Sequence, residues 1–392
     1  MKHCKIKYYL ILLFTSLTFL FSCSENTTEP TQSSYTYNIP EQVNDGWKVG
    51  SITDVGLTGE PLVNMMEYLN GRGDHRVHSI IIVKDSTLVF EEYFSDYYFD
   101  TDQVQSEGAW IEYDRNTLHF MASVTKSFTS VLFGIAMDEG LIQSVDETVL
   151  SHYPAYSSFM IHQKADITIK HLLTMSAGLA WDENTYPFGD SRNDVTGLFQ
   201  SSDPIKFILQ KTLESTPGSR FHYNSGYTNV LADLVRIQNG INLRQYAEQK
   251  LFGPLGITSY RLDMLTSRLA FASGGLYLGV RDLAKIGQLY LNDGMWNGNR
   301  IVSKEWITES TQSYINPNYG FANGYGYQWW LDDFFYNGKT FNFYFAAGWG
   351  GQYMYLLPQE NMIIVITCGY FLTQETVSAQ ELIADYILPS MN

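Results

Sequence analysis

The sequence has few cysteines and few basic residues. Its 392 residues include three cysteines, Cys4, Cys23 and Cys368, and 25 Lys and Arg against 41 Asp and Glu. Neither Cys-x-x-Cys nor His-Glu-x-x-His spacing occurs, so no disulfide and no metal site is predicted. The net charge of −16 opposes binding to nucleic acid, and to anionic lipid, through the body of the protein.

The apolar run near the N-terminus is short for a membrane span. It extends from Tyr8 to Phe21, about 14 residues where a span needs about 20, and it follows three lysines. A basic start followed by a run of this length is typical of a secretory signal, so export is predicted. Removal of residues 1–22 leaves 22 basic against 41 acidic residues, which is a net charge of −19.

The end of this leader, "LFSCS", resembles a bacterial lipoprotein signal. In such a signal Cys23 is lipidated and becomes the mature N-terminus, and the protein stays anchored to a membrane in the periplasm or at the cell surface. Phe21 is bulkier than usual at its position, and an ordinary secretory signal with an incidental cysteine is the alternative. The other mature cysteine, Cys368, lies in an apolar run where a thiol is expected to serve packing.

Three regions follow from the composition along the chain. Residues 1–22 are the leader, and residues 23–45 are polar and rich in Ser and Thr, which predicts a flexible tether. Residues 46–392 form the folded body, which begins near Trp47. The whole chain has 45% hydrophobic residues, which is enough to bury a large core.

Periodicity predicts strands at both ends of the body and helices between them. Strands are expected at Ser79–Lys84 and Thr87–Phe94, joined by a hairpin turn, and as three consecutive strands in "KTFNFYFAAGWGGQYMYLLPQENMIIVITCG". Helices are expected at Ser123–Glu139 and Gly279–Gly294. This order predicts one sheet closed by the two ends of the body, with a helical region inserted at roughly 140–300.

The first chemical signal is "MASVTKSFTS", which places Ser123 and Lys126 one helical turn apart. A serine hydroxyl attacks an acyl carbon when a base takes its proton, and a lysine is such a base only when it is neutral. Apolar surroundings favour the neutral amine, and Phe120, Val124 and Phe128 flank the pair. The alternative is a serine that caps the helix beside an exposed lysine.

Two further stretches suit a hydrolytic site. "PGSRFHYNSGYTNVL" reads as a loop that presents Tyr223, whose phenol can relay a proton, although it is one of 28 tyrosines. "FAAGWGGQY" packs glycines around Trp349, where backbone N–H groups can approach a substrate as an oxyanion hole requires. A tyrosine used for packing and a strand-edge bulge without function are the alternatives.

Together the three stretches resemble the motifs of the serine β-lactamase and penicillin-binding protein superfamily, and the mature chain is identified as a member of its β-lactamase-related serine hydrolases. The resemblance implies a β-lactamase/transpeptidase-like fold, an α/β structure of the α+β type with an antiparallel sheet, flanking helices and a helical subdomain. It implies Ser123 as the acylated nucleophile, Lys126 as its base and Tyr223 as the proton relay. The backbone N–H groups of Ser123 and Trp349 would form the oxyanion hole, and no cofactor is implied.

Two departures from the superfamily pattern concern the substrate. Ser225 stands where the loop motif usually has Asn, and Ala346-Ala347-Gly348 replaces Lys-Thr-Gly, whose lysine attracts the carboxylate of a β-lactam or a peptide terminus. Losing that contact costs about 1.5 to 3 kcal/mol of binding. The variant resembles esterases and 6-aminohexanoate-oligomer amide hydrolases. A small-molecule ester or amide is therefore the expected substrate, and β-lactamase or D-Ala-D-Ala carboxypeptidase activity is an alternative.

The substrate-contact candidates are Ser225, Trp181, Asp182, Gly348 and Gly350. A Ser-His-Asp hydrolase is a competing hypothesis because His119 and His222 lie next to the motifs, but the chain has no Gly-x-Ser-x-Gly elbow. The two histidines are expected to serve packing or hydrogen bonding. A ligand-binding protein without catalytic activity remains a second alternative, since a fold does not establish a function.

Overall fold

A computed structural model describes residues 35–99, 101 and 106–391. The predicted leader, Cys23 and the tether up to residue 34 lie outside the described residues. The strands are β1 (Lys48–Val49), β2 (Val77–Lys84), β3 (Thr87–Tyr93), β4 (Ser95–Tyr97), β5 (Trp110–Glu112), β6 (His119–Phe120), β7 (Tyr260–Leu262), β8 (Leu276–Leu278), β9 (Met295–Trp296), β10 (Asn299–Arg300), β11 (Gly324–Tyr325), β12 (Trp330–Tyr336), β13 (Lys339–Gly348), β14 (Gln352–Leu357) and β15 (Met362–Cys368).

The helices lie mainly between the two groups of long strands. They are α1 (Gly59–Asn70), α2 (Val124–Asp138), α3 (Val149–His152), α4 (Ile169–Leu173), α5 (Asp194–Gln200), α6 (Pro204–Leu209), α7 (Ser225–Asn239), α8 (Leu243–Ala247), α9 (Val280–Leu291), α10 (Lys304–Ser310) and α11 (Ala379–Leu382). Both helices predicted above, α2 and α9, are confirmed, each slightly shorter than expected.

The main sheet joins the two ends of the body, as predicted. Its order is β1-β3-β2-β15-β14-β13-β12-β11, and every neighbouring pair is antiparallel except β1 with β3. The C-terminal strand β15 pairs with β2 in a register that places Ile364 opposite Ile82. Every residue of β15 is buried, and α9 packs on β2, β14 and β15, so these strands form a continuous core.

The predicted hairpin between β2 and β3 is confirmed, and its turn has a clear physical cause. Asp85 and Ser86 have φ angles of 50° and 59°. Two successive left-handed residues are what a two-residue type I′ turn requires, and Asp and Asn tolerate that region better than most residues. The turn fixes the register of the hairpin and so orients the buried faces of both strands.

The folded body begins earlier than the sequence predicts. The sequence predicts a tether up to residue 45, but the Tyr37 hydroxyl donates to the Val89 carbonyl at 2.7 Å and accepts from the Ile52 amide at 3.2 Å. The Tyr37 ring also stacks on Phe90. Two tyrosines in a segment of otherwise polar composition, Tyr35 and Tyr37, therefore attach it to the sheet.

In the part of the chain that the structure describes, no helix is long and apolar enough to cross a membrane.

Candidate active site

Ser123 and Lys126 meet at the start of α2. The Lys126 Nζ lies 2.9 Å from the Ser123 Oγ and donates to the Ser273 carbonyl at 2.8 Å. Lys126 is only 2% exposed, and Ser123 makes no side-chain capping hydrogen bond. The alternative of a capping serine beside an exposed lysine is therefore wrong.

The surroundings of Lys126 favour its neutral form. Burial lowers the pKa of the Lys126 amine from 10.5 to about 8, while the charge of the Glu183 carboxylate acts in the opposite direction. Removing a lysine from water penalises the ammonium form, because the low-dielectric interior solvates the charge poorly. A substantial fraction of the side chain is thus neutral near pH 8 and can accept a proton from Ser123.

The backbone just before the nucleophile is strained. Ala122 has a φ of +45°, a region that residues with a Cβ seldom occupy. Its carbonyl accepts a hydrogen bond from the Thr125 hydroxyl at 2.6 Å, and the Thr125 Oγ1 accepts from the Leu276 amide at 3.1 Å. Strain held in place by neighbouring structure is a frequent property of catalytic turns, and here it positions Ser123 between α2 and β8.

Tyr223 lies beside this pair, just before α7. The Lys126 Nζ lies 4.8 Å from the centre of the Tyr223 ring, which stacks on Trp330. The next residue, Asn224, caps α7 by accepting from the Gly226 amide at 2.8 Å, and this holds the loop in place. Burial raises the pKa of Tyr223 well above its usual value, whereas its interaction with the Ser123 hydroxyl acts in the opposite direction. A phenol that keeps its proton can pass it on but cannot replace Lys126 as the base.

Gly348 brings the end of β13 against the backbone of the nucleophile. A Cβ at Gly348 would lie 2.5 Å from the Met121 carbonyl oxygen and 3.2 Å from the Ser123 nitrogen. Only a glycine permits this approach. Among the described residues, the amides of Ser123 and Trp349 donate no hydrogen bond to another backbone group. Both are therefore free to bind an oxyanion, as the predicted roles require.

A cleft of about 1010 Å³ opens above Ser123. Its walls are largely aromatic, with Phe99, Phe120, Tyr186, Phe271, Phe321 and Trp330 among the lining side chains. Among the described residues that line it, Glu183 and Asp263 are the charged ones, and neither Lys nor Arg is present. The cleft therefore suits an apolar substrate without a carboxylate.

The structure brings only part of the predicted substrate-contact set to this cleft. Ser225 and Gly348 line it, whereas Trp181, Asp182 and Gly350 do not. The Trp181 ring is buried against Phe207, and the Asp182 carboxylate accepts hydrogen bonds from amides of its own loop. Gly350 has a φ of +84°, and a Cβ there would lie 2.3 Å from the Phe371 ring.

Two residues of the site escaped the sequence analysis. Glu183 lines the cleft next to the predicted Trp181 and Asp182, and the polar run "WDEN" of residues 181–184 is the signal that marks it. The Ser273 carbonyl accepts from Lys126, and its hydroxyl accepts from the Asn229 amide at 2.9 Å. No local pattern marks Ser273, because it is 147 residues from Lys126 in the chain.

The two histidines next to the motifs are hydrogen-bonded elsewhere. The His119 Nε2 lies 2.7 Å from the His78 Nδ1, and the His78 Nε2 lies 2.8 Å from the Asp96 carboxylate. The His222 Nε2 contacts the Trp181 carbonyl at 2.8 Å. In the described part of the chain neither His119 nor His222 is hydrogen-bonded to Ser123, so the geometry does not form a Ser-His-Asp triad at that residue. Nor do residues 35–99, 101 and 106–391 hold a group of three or more His, Cys, Asp and Glu arranged for a metal ion.

Comparison with known proteins gives relatives of several activities. The 6-aminohexanoate-dimer hydrolase of Paenarthrobacter ureafaciens is 24% identical over 268 residues, 63% of this chain and 65% of that protein. The monacolin J acid methylbutanoyltransferase of Aspergillus terreus is 30% identical over 172 residues, 38% of this chain and 40% of that protein. The chain thus matches less than two thirds of the length of either relative.

Solved structures show the same fold. A family VIII carboxylesterase has a TM-score of 0.65 at 16% identity, covering 84% of this chain and 97% of the esterase. Residues 63–386 match the sequence profile of the family described as Beta-lactamase. Because that match extends over most of the chain, the protein belongs to the Beta-lactamase family.

Proposed function

We propose that the protein is a serine hydrolase that cleaves a carboxylic ester or amide through an acyl-enzyme on Ser123. The observation that carries the proposal is the 2.9 Å approach of the buried Lys126 amine to the Ser123 hydroxyl, together with the lowered pKa of that amine. A nucleophile and a base in hydrogen-bond contact are the minimum equipment of covalent acyl transfer.

The proposed acylation uses each group of the site once. Neutral Lys126 takes the hydroxyl proton as the Ser123 Oγ bonds to the acyl carbon, and the amides of Ser123 and Trp349 bind the negative oxygen. Tyr223 passes its proton to the departing alcohol or amine as the bond to the acyl carbon breaks, and it takes the proton held by Lys126 in return, so that Lys126 is neutral again. Water then attacks the acyl-enzyme as it gives a proton to Lys126, and Lys126 returns this proton to the Ser123 Oγ as the acid is released.

The cleft supports an ester or a neutral amide over a β-lactam. Where the superfamily motif has Lys and Thr, this chain has Ala346, which is buried, and Ala347, which lines the cleft. None of the described lining residues supplies a positive charge in place of that Lys. A β-lactam or a peptide terminus would bring a carboxylate towards the negative charge of Glu183. We therefore place β-lactamase and carboxypeptidase activity behind ester and amide hydrolysis.

The test compares hydrolysis of p-nitrophenyl butyrate and nitrocefin by wild type and the Ser123→Ala variant. The proposal expects ester turnover by wild type, loss of that turnover in the variant, and little turnover of nitrocefin. Equal ester turnover by both proteins would refute the role of Ser123. A folded wild type that binds small ligands in the cleft but is never acylated would favour the binding-protein alternative.

We also propose that the chain is exported and anchored by lipid at Cys23. The support is the basic start, the apolar run of residues 8–21 and the "LFSCS" ending. Metabolic labelling of a bacterial host with radioactive palmitate tests this proposal. Label should enter the wild-type protein but not Cys23→Ser, and equal labelling of both would contradict it.

A further inference from the structure

The proposed mechanism leaves the placement of Glu183 in the cleft unexplained. Its carboxylate accepts hydrogen bonds from the Ser225 amide and the Ser225 hydroxyl, each at 2.8 Å, and from the Trp181 Nε1 at 2.5 Å. These donors hold the side chain in one position at the start of α7, where the helix dipole also favours a negative group. A negative charge is thereby fixed in a largely aromatic cleft.

The same hydrogen bond decides what Ser225 can offer a substrate. Because an ionised carboxylate only accepts, the Ser225 hydroxyl must donate its proton to Glu183, and it keeps only lone pairs for a ligand. An Asn at this position would present N–H donors to a substrate carbonyl. Ser225 and Glu183 therefore turn this part of the cleft from a donor into an acceptor.

The other carboxylate of the cleft is neutralised. The Asp263 Oδ1 accepts from the Arg261 Nε at 2.6 Å. Glu183 has no hydrogen-bonded cation, because its partners Trp181 and Ser225 are neutral and no described lining residue is Lys or Arg. The buried Lys126 amine interacts with Glu183 only through its charge when it is protonated. The aromatic walls add favourable faces for a cation.

We propose that Glu183 and Ser225 form a subsite that selects substrates whose acyl group carries a primary ammonium group. This inference rests on the proposed hydrolase function and specifies its substrate class. The ammonium donates to Glu183 and to the lone pairs of Ser225, while the apolar part of the acyl group packs on the aromatic walls. A substrate carboxylate is repelled at the same place.

The pair also links substrate charge to the base. The Glu183 charge opposes the loss of a proton from Lys126. An ammonium bound at Glu183 offsets that charge, so the substrate itself favours the neutral amine that acylation needs.

The test uses three p-nitrophenyl esters of equal size, those of para-tolylacetic, para-(aminomethyl)phenylacetic and para-carboxyphenylacetic acid. The rigid ring keeps the amine from reaching its own ester. Wild type should show a kcat/KM at least about tenfold higher for the ammonium ester than for the tolyl ester, with the carboxylate ester slowest. Equal values for the three esters would overturn the proposal without touching the role of Ser123.

Two variants show which carboxylate is responsible for the preference for the ammonium ester. Glu183→Gln removes the charge and should bring the ratio of ammonium to tolyl ester close to one, while Asp263→Asn, a matched loss of charge in the same cleft, should keep the wild-type ratio. Glu183→Gln should also shift the acidic limb of the rate profile for the tolyl ester to lower pH, because the pKa of Lys126 falls. Loss of selectivity in Asp263→Asn alone would contradict the assignment. If Glu183→Gln does not fold, the wild-type ratios still decide.

Binding separates this inference from the proposed function. If wild type hydrolyses none of the esters, the hydrolase proposal fails, and calorimetric titration with benzylammonium and with benzoate tests the subsite alone. Wild type should bind benzylammonium at least about tenfold more tightly than benzoate, and Glu183→Gln should lose that difference. Equal binding of the two ions by wild type would overturn the subsite.

Discussion

Gly348→Ala is the most informative single change in the site, because it adds one carbon where β13 meets the nucleophile. That carbon would lie 2.5 Å from the Met121 carbonyl oxygen, and atoms in ordinary contact are 3.4 to 4 Å apart. Both neighbours are backbone, so neither can rotate away as a side chain would. The end of β13 must therefore move away from Ser123 by roughly an ångström to relieve the overlap.

Such a movement separates the two amides that are proposed to bind the oxyanion. Loss of one donor of an oxyanion hole costs about 2.7–4 kcal/mol of transition-state stabilisation, a fall of about 10²–10³ in kcat. The strand end supplies Ala347, Gly348 and Trp349 to the cleft, whereas the other lining residues and the contact between Ser123 and Lys126 lie outside it. We therefore expect kcat for p-nitrophenyl butyrate to fall by this factor while KM changes little.

The control is Gly73→Ala, since a Cβ there would meet nothing within 4 Å. Gly73 lies in an exposed loop between α1 and β2, and its substitution should leave kcat unchanged. Thermal unfolding of both variants shows whether the fold is retained. A folded Gly348→Ala protein with the kcat of wild type would refute the reasoning about the oxyanion hole.

Three further predictions concern Lys126, Tyr223 and the buried ion pair of Arg281 and Glu91. Since Lys126 must be neutral to act, kcat/KM for p-nitrophenyl butyrate should rise with pH and level off above the lowered pKa of about 8. The Lys126→Arg variant, whose side chain stays protonated, should lose ester hydrolysis. A pH profile that is flat around pH 8 would contradict the role of Lys126 as the base. Tyr223→Phe should lower kcat by about 10²–10⁴ with an unchanged unfolding temperature, and wild-type kcat would exclude the relay. The Glu91 side chain is 6% exposed and accepts from the Arg281 Nε at 2.6 Å. Arg281→Met leaves this buried carboxylate without its cation, and it should lower the free energy of unfolding, measured by urea titration, by about 3–5 kcal/mol. The exposed pair of Arg192 and Asp190 provides the control, since Arg192→Met should cost less than about 1 kcal/mol, and equal losses would contradict the account.

Features set by neighbouring residues were predictable from the sequence. The helix α2 and the shared face of Ser123 and Lys126 follow from spacing over one turn, and the hairpin of β2 and β3 follows from its two turn residues. The sheet closed by both ends of the body followed from the order of strands and helices along the chain.

Features set by contacts between distant segments were not predictable. The Ser273 carbonyl reaches Lys126 through the fold, and no local periodicity reports such a contact. Likewise, Trp181 and Asp182 were chosen from a loop whose conformation turns Glu183 towards the cleft instead. The start of the body at Tyr35 was missed because two tyrosines in a polar segment show no periodicity, although their hydroxyls and rings attach the segment to β3.

The most direct test of the central claim is intact-mass spectrometry of the protein quenched in acid during turnover of p-nitrophenyl butyrate. The account predicts a mass increase of one butyryl group, located by peptide mapping at Ser123 and absent from Ser123→Ala. Ester turnover with an adduct at another residue, or the same adduct in Ser123→Ala, would contradict the acyl-enzyme on Ser123.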